Sequence, residues 1–290
     1  MSSLKEIKNR ISSVKNTQQI TKAMKMVSAS KLRKAQAQVD SARSYTQKFR
    51  ETVQLLTNES TSESDPLMLA RTGGKAVIFI ITADKGLCGG LNSNLCKQVD
   101  SLMEENEGGY SEYELYCFGK KGRDFFKRRE KNILGEYIDN KDSHKPMQSI
   151  GIIKDLIERY KNEEINALFI AYSSFKSVIS NIPVVTKALP LDSDFSDEAS
   201  VDSNSQDFIF EPQREKILSN ILPKYIENLA YVSMLEHIAS EHGSRMSTMD
   251  AATRNAGEMI NRLQLFYNRA RQAAITTELT EIISGAESIQ

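Results

Sequence analysis

Two long stretches at the ends of the chain contain almost none of the residues that interrupt helices. Residues 2–72 contain no glycine and a single proline, Pro66, while residues 213–290 contain one proline and three glycines. Glycine and proline are the strongest local breaks in regular structure, so we expect one long helix at each end. A helix over residues 4–56 would be about 80 Å long, whereas a compact domain of this size is about 40–50 Å across. The terminal helices must therefore extend beyond a globular body and find a partner.

A seven-residue pattern runs along both stretches. Steps of three and four residues from Leu4 to Leu56 meet apolar side chains at both ends and polar ones in the middle. The same steps from Leu218 to Ala274 meet mostly apolar or small residues. A spacing that averages 3.5 residues is typical of a coiled coil. The sequence therefore predicts an antiparallel coiled coil of the two terminal helices. The first track is Leu4, Ile7, Ile11, Val14, Gln18, Thr21, Lys25, Ser28, Leu32, Ala35, Val39, Ala42, Thr46, Phe49, Val53 and Leu56.

The polar middle of the first track, from Gln18 to Ser28, departs from the coiled-coil rule. The apolar residues there lie off the track, at Ile20, Met24, Met26 and Val27. One interpretation is a local stutter in the supercoil; the other is a face turned toward a third body. The sequence slightly favours the stutter.

The second helix continues past the length that the first can cover. Residues 211–288 would span about 115 Å as a helix. The last part keeps apolar residues at Ile275, Leu279, Ile282 and Ile283, and a single, partly apolar helix is marginal in water. We therefore expect another protein to enclose it.

The central part alternates between strand and helix patterns. Apolar, β-branched runs predict strands at 76–82, 113–118 and 167–172, an antiparallel edge strand within 177–191, and a last short strand at 207–210. Helices are expected after residue 92 to about 105, and at 120–129 and 150–161, with an acidic, serine-rich surface loop at 192–206. This alternation predicts a Rossmann-like α/β domain with a mainly parallel sheet. The expected division is a first helix at 1–58, a linker at 59–74, the α/β domain at 75–210 and a second helix from 211–290, opened by Glu211-Pro212.

Residues 84–92, here called the glycine loop, follow the first predicted strand and precede a helix, where phosphate sites occur. The loop lacks both the GxGxxG order and the P-loop order, so it is weak evidence for a nucleotide. Three cysteines fit neither a disulfide framework nor a zinc site. No histidine is placed to activate a nucleophile. We therefore expect no catalytic residue, no cofactor and no metal.

Charge is unevenly distributed, although the net charge is zero. Residues 1–57 carry twelve Lys and Arg but only three acidic residues. A basic rod suggests an anionic partner surface. A basic coiled-coil scaffold or a nucleic-acid-binding protein is the alternative; acidic stretches elsewhere and few aromatic residues argue against nucleic acid.

Three segments carry a resemblance to a known family. They are the C-terminal pattern Ile275-Thr276-x-Glu278-x-x-Glu281-x-x-x-Gly285-Ala286-x-Ser288, the N-terminal Leu4-Lys5-Glu6-Ile7 with Thr21-Lys22-Ala23-Met24-Lys25-Met26-Val27, and the glycine loop. Over its whole length the chain resembles the gamma subunits of F-type ATP synthases.

The resemblance implies a non-catalytic rotor shaft of the central stalk. The coiled coil would turn inside a hexamer of alpha and beta subunits, and the α/β domain would dock on the epsilon subunit and the c-ring. Torque would pass between the proton-driven ring and the catalytic hexamer, with no role for nucleic acid. The chain has no transit peptide, so we expect a peripheral protein on the cytoplasmic side of a bacterial inner membrane rather than a mitochondrial one.

The resemblance also implies two groups of contact residues. The candidates for contact with the surrounding hexamer are Met24, Lys25, Arg245, Arg271, Gln272, Thr276 and Glu278. The candidates for docking on the epsilon subunit and c-ring are Lys85, Gly86, Leu87, Cys88, Gly89 and Gly90.

Overall fold

The computed structural model describes residues 4–57, 65–106, 108–139, 145–178, 180–191 and 211–287. The chain forms two compact units: Met1–Ser30 with Arg245–Gln290, and Lys31–Ser244. The two long helices pass through both units. The predicted acidic loop at 192–206 and the predicted strand at 207–210 lie outside the described residues.

The second unit contains a five-stranded sheet. The strand order is β3-β2-β1-β4-β5, in which β1 to β4 are parallel and β5 is antiparallel to β4. An α/β domain between two long terminal helices is therefore confirmed. In chain order the elements are α1 (Leu4–Leu56), β1 (Lys75–Ile81), α2 (Leu91–Glu105), β2 (Glu112–Phe118), α3 (Lys120–Lys127), β3 (Ile133–Tyr137), α4 (Lys145–Lys161), β4 (Ala167–Phe175), β5 (Asn181–Leu189) and α5 (Arg214–Glu287).

Strand β1 lies at the centre of the sheet and is buried on both faces. Successive side chains of a strand point to opposite faces. Val77 and Phe79 accordingly pack in a core with α4 and parts of α1 and α5. Ile78 and Ile80 pack in a second core with α2 and α3. Burial on both sides explains why β1 is a continuous apolar run and not an alternating one.

Most predicted elements are confirmed, apart from one strand that was not predicted and several boundaries that differ by a few residues. Strand β3 was not predicted, because it is short, lies at a sheet edge and is mostly half-buried, so its sequence carries little apolar signal. Gly135 lets it pair closely with β2, since a Cβ atom there would lie 2.5 Å from the Tyr116 ring. Helix α5 begins at Arg214 rather than at Glu211-Pro212.

Within each unit, α1 and α5 pack side by side in opposite directions. In the first unit Gln18 and Thr21 both contact Thr253. In the second unit Thr46 contacts Asn228, and the Phe49 ring contacts the Tyr225 ring edge-to-face, with 5.7 Å between centroids. In the second unit, a residue three positions later in α1 therefore contacts a residue three positions earlier in α5, as expected for antiparallel helices.

The predicted first track lies on the packed side of α1 throughout. Each of its residues is buried or half-buried, including the polar ones between Gln18 and Ser28. The apolar residues off the track are largely exposed, at 60% for Ile20, 61% for Met26 and 57% for Val27. The interpretation as a stutter is therefore wrong: the track continues unbroken, and these apolar residues face outward.

Candidate partner-binding surfaces

The glycine loop is a tight turn held by its own side chains. The Ala83 amide donates to Asn92 Oδ1 at 2.9 Å, and Asn92 Nδ2 donates to Cys88 Sγ at 3.2 Å. The Lys120 amide donates to Asp84 Oδ1 at 2.9 Å, which joins the loop to the start of α3. These bonds fix the path of the chain without any ligand.

Only part of the predicted docking segment is accessible. The side chain of Leu87 is 59% exposed and its φ is +64°, so the turn holds an apolar side chain outward. Lys85, Gly89 and Gly90 are exposed and Gly86 is half-buried, whereas Cys88 is buried. Cys88 therefore contributes to the turn and not to an accessible surface.

Helix α5 contacts the loop that follows β1 and the carboxyl end of β4, the region where an open α/β sheet usually binds its ligand. The Ser244 hydroxyl donates to the Cys88 carbonyl at 2.5 Å, and the Ser240 hydroxyl donates to the Ser173 carbonyl at 2.9 Å. Gly243 allows this approach, because a Cβ atom there would lie 3.1 Å from the Phe175 ring. The glycine loop thus packs against α5 and helps to position it.

The first group of predicted contact residues is spread over different environments. Met24 is half-buried. The Lys25 ammonium makes an ion pair with Asp250 at 2.5 Å, and Arg254 pairs with the other oxygen of that carboxylate at 2.9 Å. The hydrogen bond from Lys25 is the main cause that lowers the pKa of Asp250. Arg245 is buried, with 8% of its surface exposed.

The remaining predicted contacts lie on the part of α5 that extends past α1. All residues from 271 to 284, here called the overhang, are exposed. They include Arg271, Gln272, Thr276 and Glu278. The Thr276 hydroxyl donates back to the Gln272 carbonyl at 3.0 Å. The structure therefore separates these four residues from Met24, Lys25 and Arg245 along the helices.

The overhang carries an exposed apolar stripe. Its large apolar residues follow the spacing of one helix face. A contiguous apolar surface of this kind marks an interaction site. The stripe consists of Ile275 (51% exposed), Leu279 (54%), Ile282 (70%) and Ile283 (52%).

The sequence did not indicate one charged contact in the second unit. Arg43 donates to Glu236 and to the carbonyl of Phe175, so one guanidinium joins α1, α5 and the end of β4. Residues 43 and 236 are 193 positions apart, and no local pattern links them.

Two of the buried cysteine thiols are unreactive. Burial raises the pKa of Cys96 and of Cys117 to about 12, so both thiols stay protonated and unreactive. Among the residues that the structure describes, no group of three His, Cys, Asp or Glu side chains is placed to hold a metal. The described helices contain no segment long and apolar enough to cross a bilayer.

Comparison with known proteins gives a consistent result. The family model described as ATP synthase matches residues 3–289. The chain is 46% identical to the ATP synthase gamma chain of Geotalea daltonii and 44% identical to that of Geotalea uraniireducens, each over 100% of both chains. Its fold is similar to a chain of the Euglena gracilis mitochondrial ATP synthase, OSCP/F1/c-ring, in rotational state 3. That match has a TM-score of 0.68 and 18% identity, and covers 99% of this chain and 94% of the other.

Proposed function

Because the chain belongs to the family of ATP synthase gamma chains, we propose that it is the rotor subunit that carries torque through the central stalk. A gamma chain is a subunit of the synthase and has no active site of its own. The observation that carries the torque proposal is the antiparallel packing of α1 on α5, with the overhang left exposed. Two packed helices resist twisting better than one, and the unpaired end offers a surface to surrounding subunits.

The helix pair works as a coiled coil in this proposal. Support comes from the 3.5-residue track of α1, which stays buried or half-buried over the whole helix. The matching track of α5 is also buried or half-buried from Leu218 to Ala270. The proposed parts are the two helices at 1–58 and 211–290, with the α/β domain at 75–210 joined by the linker at 59–74.

The proposed partners follow from the surfaces. The alpha and beta subunits enclose the overhang, because an exposed stripe of large apolar residues is typical of an interaction site. The predicted contacts Arg271, Gln272, Thr276 and Glu278 lie on this segment. Lysines and arginines on the exposed side of α1 would face acidic groups of the same hexamer.

The glycine loop is proposed to dock on the epsilon subunit and the c-ring. Leu87 supports this, because a rigid turn presents its apolar side chain to solvent. Docking there would place the chain peripherally at a bacterial plasma membrane, on the cytoplasmic side; the bacterial relatives support that location.

Met24 provides the test of torque transfer. Met24→Glu should lower ATP-driven proton pumping relative to ATP hydrolysis in the assembled synthase, because the charge would lie at the proposed contact with the hexamer. The melting temperature should hardly change, since Met24 is only half-buried. Gln19→Glu is the matched control, since it adds the same charge at an exposed position of α1. A lower melting temperature of the complex with normal coupling would show that Met24 only packs.

Leu87 provides the test of docking. With Leu87→Cys, a short reversible crosslinker in the assembled synthase should capture the epsilon subunit or a c subunit. Ser12→Cys, exposed on α1, serves as the control and should not capture either. Capture of a beta subunit through Leu87→Cys would move the proposed contact of this loop to the hexamer.

A further inference from the structure

Five polar residues face each other where α1 and α5 pack in the first unit. We call Gln18, Thr21, Lys25, Asp250 and Thr253 the polar layer. The Thr253 hydroxyl donates to the Thr21 hydroxyl at 2.8 Å, and the Gln18 amide donates to the Thr253 carbonyl at 3.4 Å. Lys25 and Asp250 form the ion pair of this layer. Every member is buried or half-buried.

The helix pair is apolar on the side of the layer toward the start of α1. The buried or half-buried track residues there are Leu4, Ile7, Ile11 and Val14 of α1, and Ala256, Ile260, Leu263, Tyr267 and Ala270 of α5. Burial of aliphatic side chains is not directional. These residues would pack almost equally well if one helix slid along the other by one heptad, so they do not define the alignment of the helices.

The polar layer responds differently to such a slide. Thr253 faces Thr21 in the structure. A slide of one heptad would place Thr253 opposite Val14 or Ser28, and Thr21 opposite Met246 or Ile260. In most of these arrangements an apolar side chain replaces the Thr21–Thr253 contact, and Lys25 loses Asp250. The two hydroxyls keep their acceptors within their own helices, the carbonyls of Gln18 and Met249. The slide therefore removes the polar contacts between the helices, and a partly buried polar group that loses its partner costs stability.

Close packing at Gly257 also disfavours a slide of one helix along the other. A Cβ atom on Gly257 would lie 3.1 Å from Gln18 Nε2, so the amide occupies space that a side chain would take. After a slide of one heptad, Gln18 would instead approach position 250 or 264, where Asp250 or Gln264 stands. The layer therefore fits in one alignment only.

We propose that the polar layer fixes the antiparallel register of α1 and α5 within the first unit. Single polar positions in coiled coils are known to specify register at some cost in stability. The layer also sets how the outward apolar residues Ile20 and Met26 of α1 align with Leu265 and Phe266 of α5. The register of the two helices is a property of the chain itself, whether or not the chain acts as a rotor.

The test measures register directly in the full-length chain. Spin labels are placed on Asn16→Cys and Asn268→Cys, which are exposed positions on the two helices. The native cysteines are buried and should label poorly. A slide of one heptad moves one label about 10 Å along the helix axis, which pulsed EPR distance measurement resolves. The labelled parent chain should give one narrow distance distribution.

Two variants separate register from stability. In the first, Thr21→Val, Lys25→Met, Asp250→Leu and Thr253→Val replace the layer by apolar residues. Melting temperature should rise, because polar groups leave a buried seam, yet the distance distribution should broaden or split by about 10 Å. In the second, Lys25→Asp with Asp250→Lys exchanges the charges, and the single distance should return although Lys25→Asp alone broadens it.

The outcomes are decisive in both directions. A single unchanged distance in the apolar variant would overturn the proposal, because the flanking residues would then suffice to set the register. If the apolar variant fails to fold, the charge exchange decides: failure of Asp250→Lys to restore the distance of the Lys25→Asp chain would also overturn it. Lys22→Asp, at an exposed position of α1, is the control and should leave the distance unchanged.

Discussion

Replacing Arg43 by alanine should destabilise the second unit far more than an ordinary surface mutation. Arg43 Nε and Nη2 donate to Glu236 Oε1 at 3.0 and 2.9 Å, and Nη2 also donates to the Phe175 carbonyl at 3.1 Å. The Glu236 side chain is only 9% exposed, whereas that of Arg43 is 46% exposed. Removing the arginine therefore leaves a buried carboxylate without its cation.

The magnitude follows from the unequal burial of the two partners. Breaking a fully buried pair by removing one partner costs about 3–5 kcal/mol, and an exposed pair contributes about 0–1 kcal/mol. Water can reach the space that Arg43 leaves, so we expect a loss between these limits, about 2 kcal/mol. For a unit of this size, that loss corresponds to a fall in melting temperature of about 4–8 °C.

Thermal and urea unfolding of the full chain at pH 7 would measure the loss. Arg33→Ala is the control, since Arg33 is an exposed arginine of the same helix. Glu236→Gln and the double variant complete a double-mutant cycle. Because the two residues are in contact, we expect a coupling free energy of about 1–2 kcal/mol.

Two results would refute this reasoning. Arg43→Ala could unfold at the same temperature as Arg33→Ala, which would mean that water solvates the Glu236 carboxylate as well as Arg43 does. Alternatively, the effects of the single variants could add without coupling, and the ion pair would then make no net contribution.

Three further predictions rest on single contacts. Gly119→Ala should sharply reduce the yield of folded chain and its melting temperature, because φ is +102° and the new Cβ would lie 2.0 Å from the Thr82 carbonyl; the backbone strain alone costs about 1–3 kcal/mol. Tyr160→Phe should lower the free energy of unfolding by about 1 kcal/mol in urea titrations, since its buried hydroxyl donates to a backbone carbonyl at 2.8 Å; an unchanged midpoint would show that water replaces this bond. The Lys25 hydrogen bond lowers the pKa of Asp250 in the folded chain, so its stabilisation is present above the unfolded carboxyl pKa of about 4 and is lost as pH falls through the lower, folded value. Urea midpoints of the parent and Lys25→Met chains should therefore differ at pH 7 and converge in acid, and a gap that persists in acid would contradict the assignment.

The helices and the buried strands could be predicted because their signals are local. The scarcity of glycine and proline indicated α1 and α5, and the apolar run at 76–82 indicated β1. Strand β3 could not be predicted in this way, because an edge strand with half-buried side chains needs little apolar character. Its place depends on pairing with β2, which the sequence of β3 does not show.

The candidate surfaces also differ in whether a local sequence signal predicts them. The apolar stripe of the overhang follows from periodicity and from the greater length of α5. The polar positions from Gln18 to Ser28 suggested a stutter in the supercoil, but the structure shows that the track continues and that Asp250 is the partner of Lys25. An ion pair across 225 positions cannot be found from a local pattern.

The sequence by itself determined which side of α1, and of α5 over residues 254–270, is buried, because helix periodicity places residues three and four apart on one face whatever they pack against. Only the tertiary structure decided the alignment of the two helices, the pairing of Arg43 with Glu236, and the contact of the glycine loop with α5. Those features depend on which residues meet across long separations, and directional polar contacts, unlike apolar burial, are satisfied in one arrangement only.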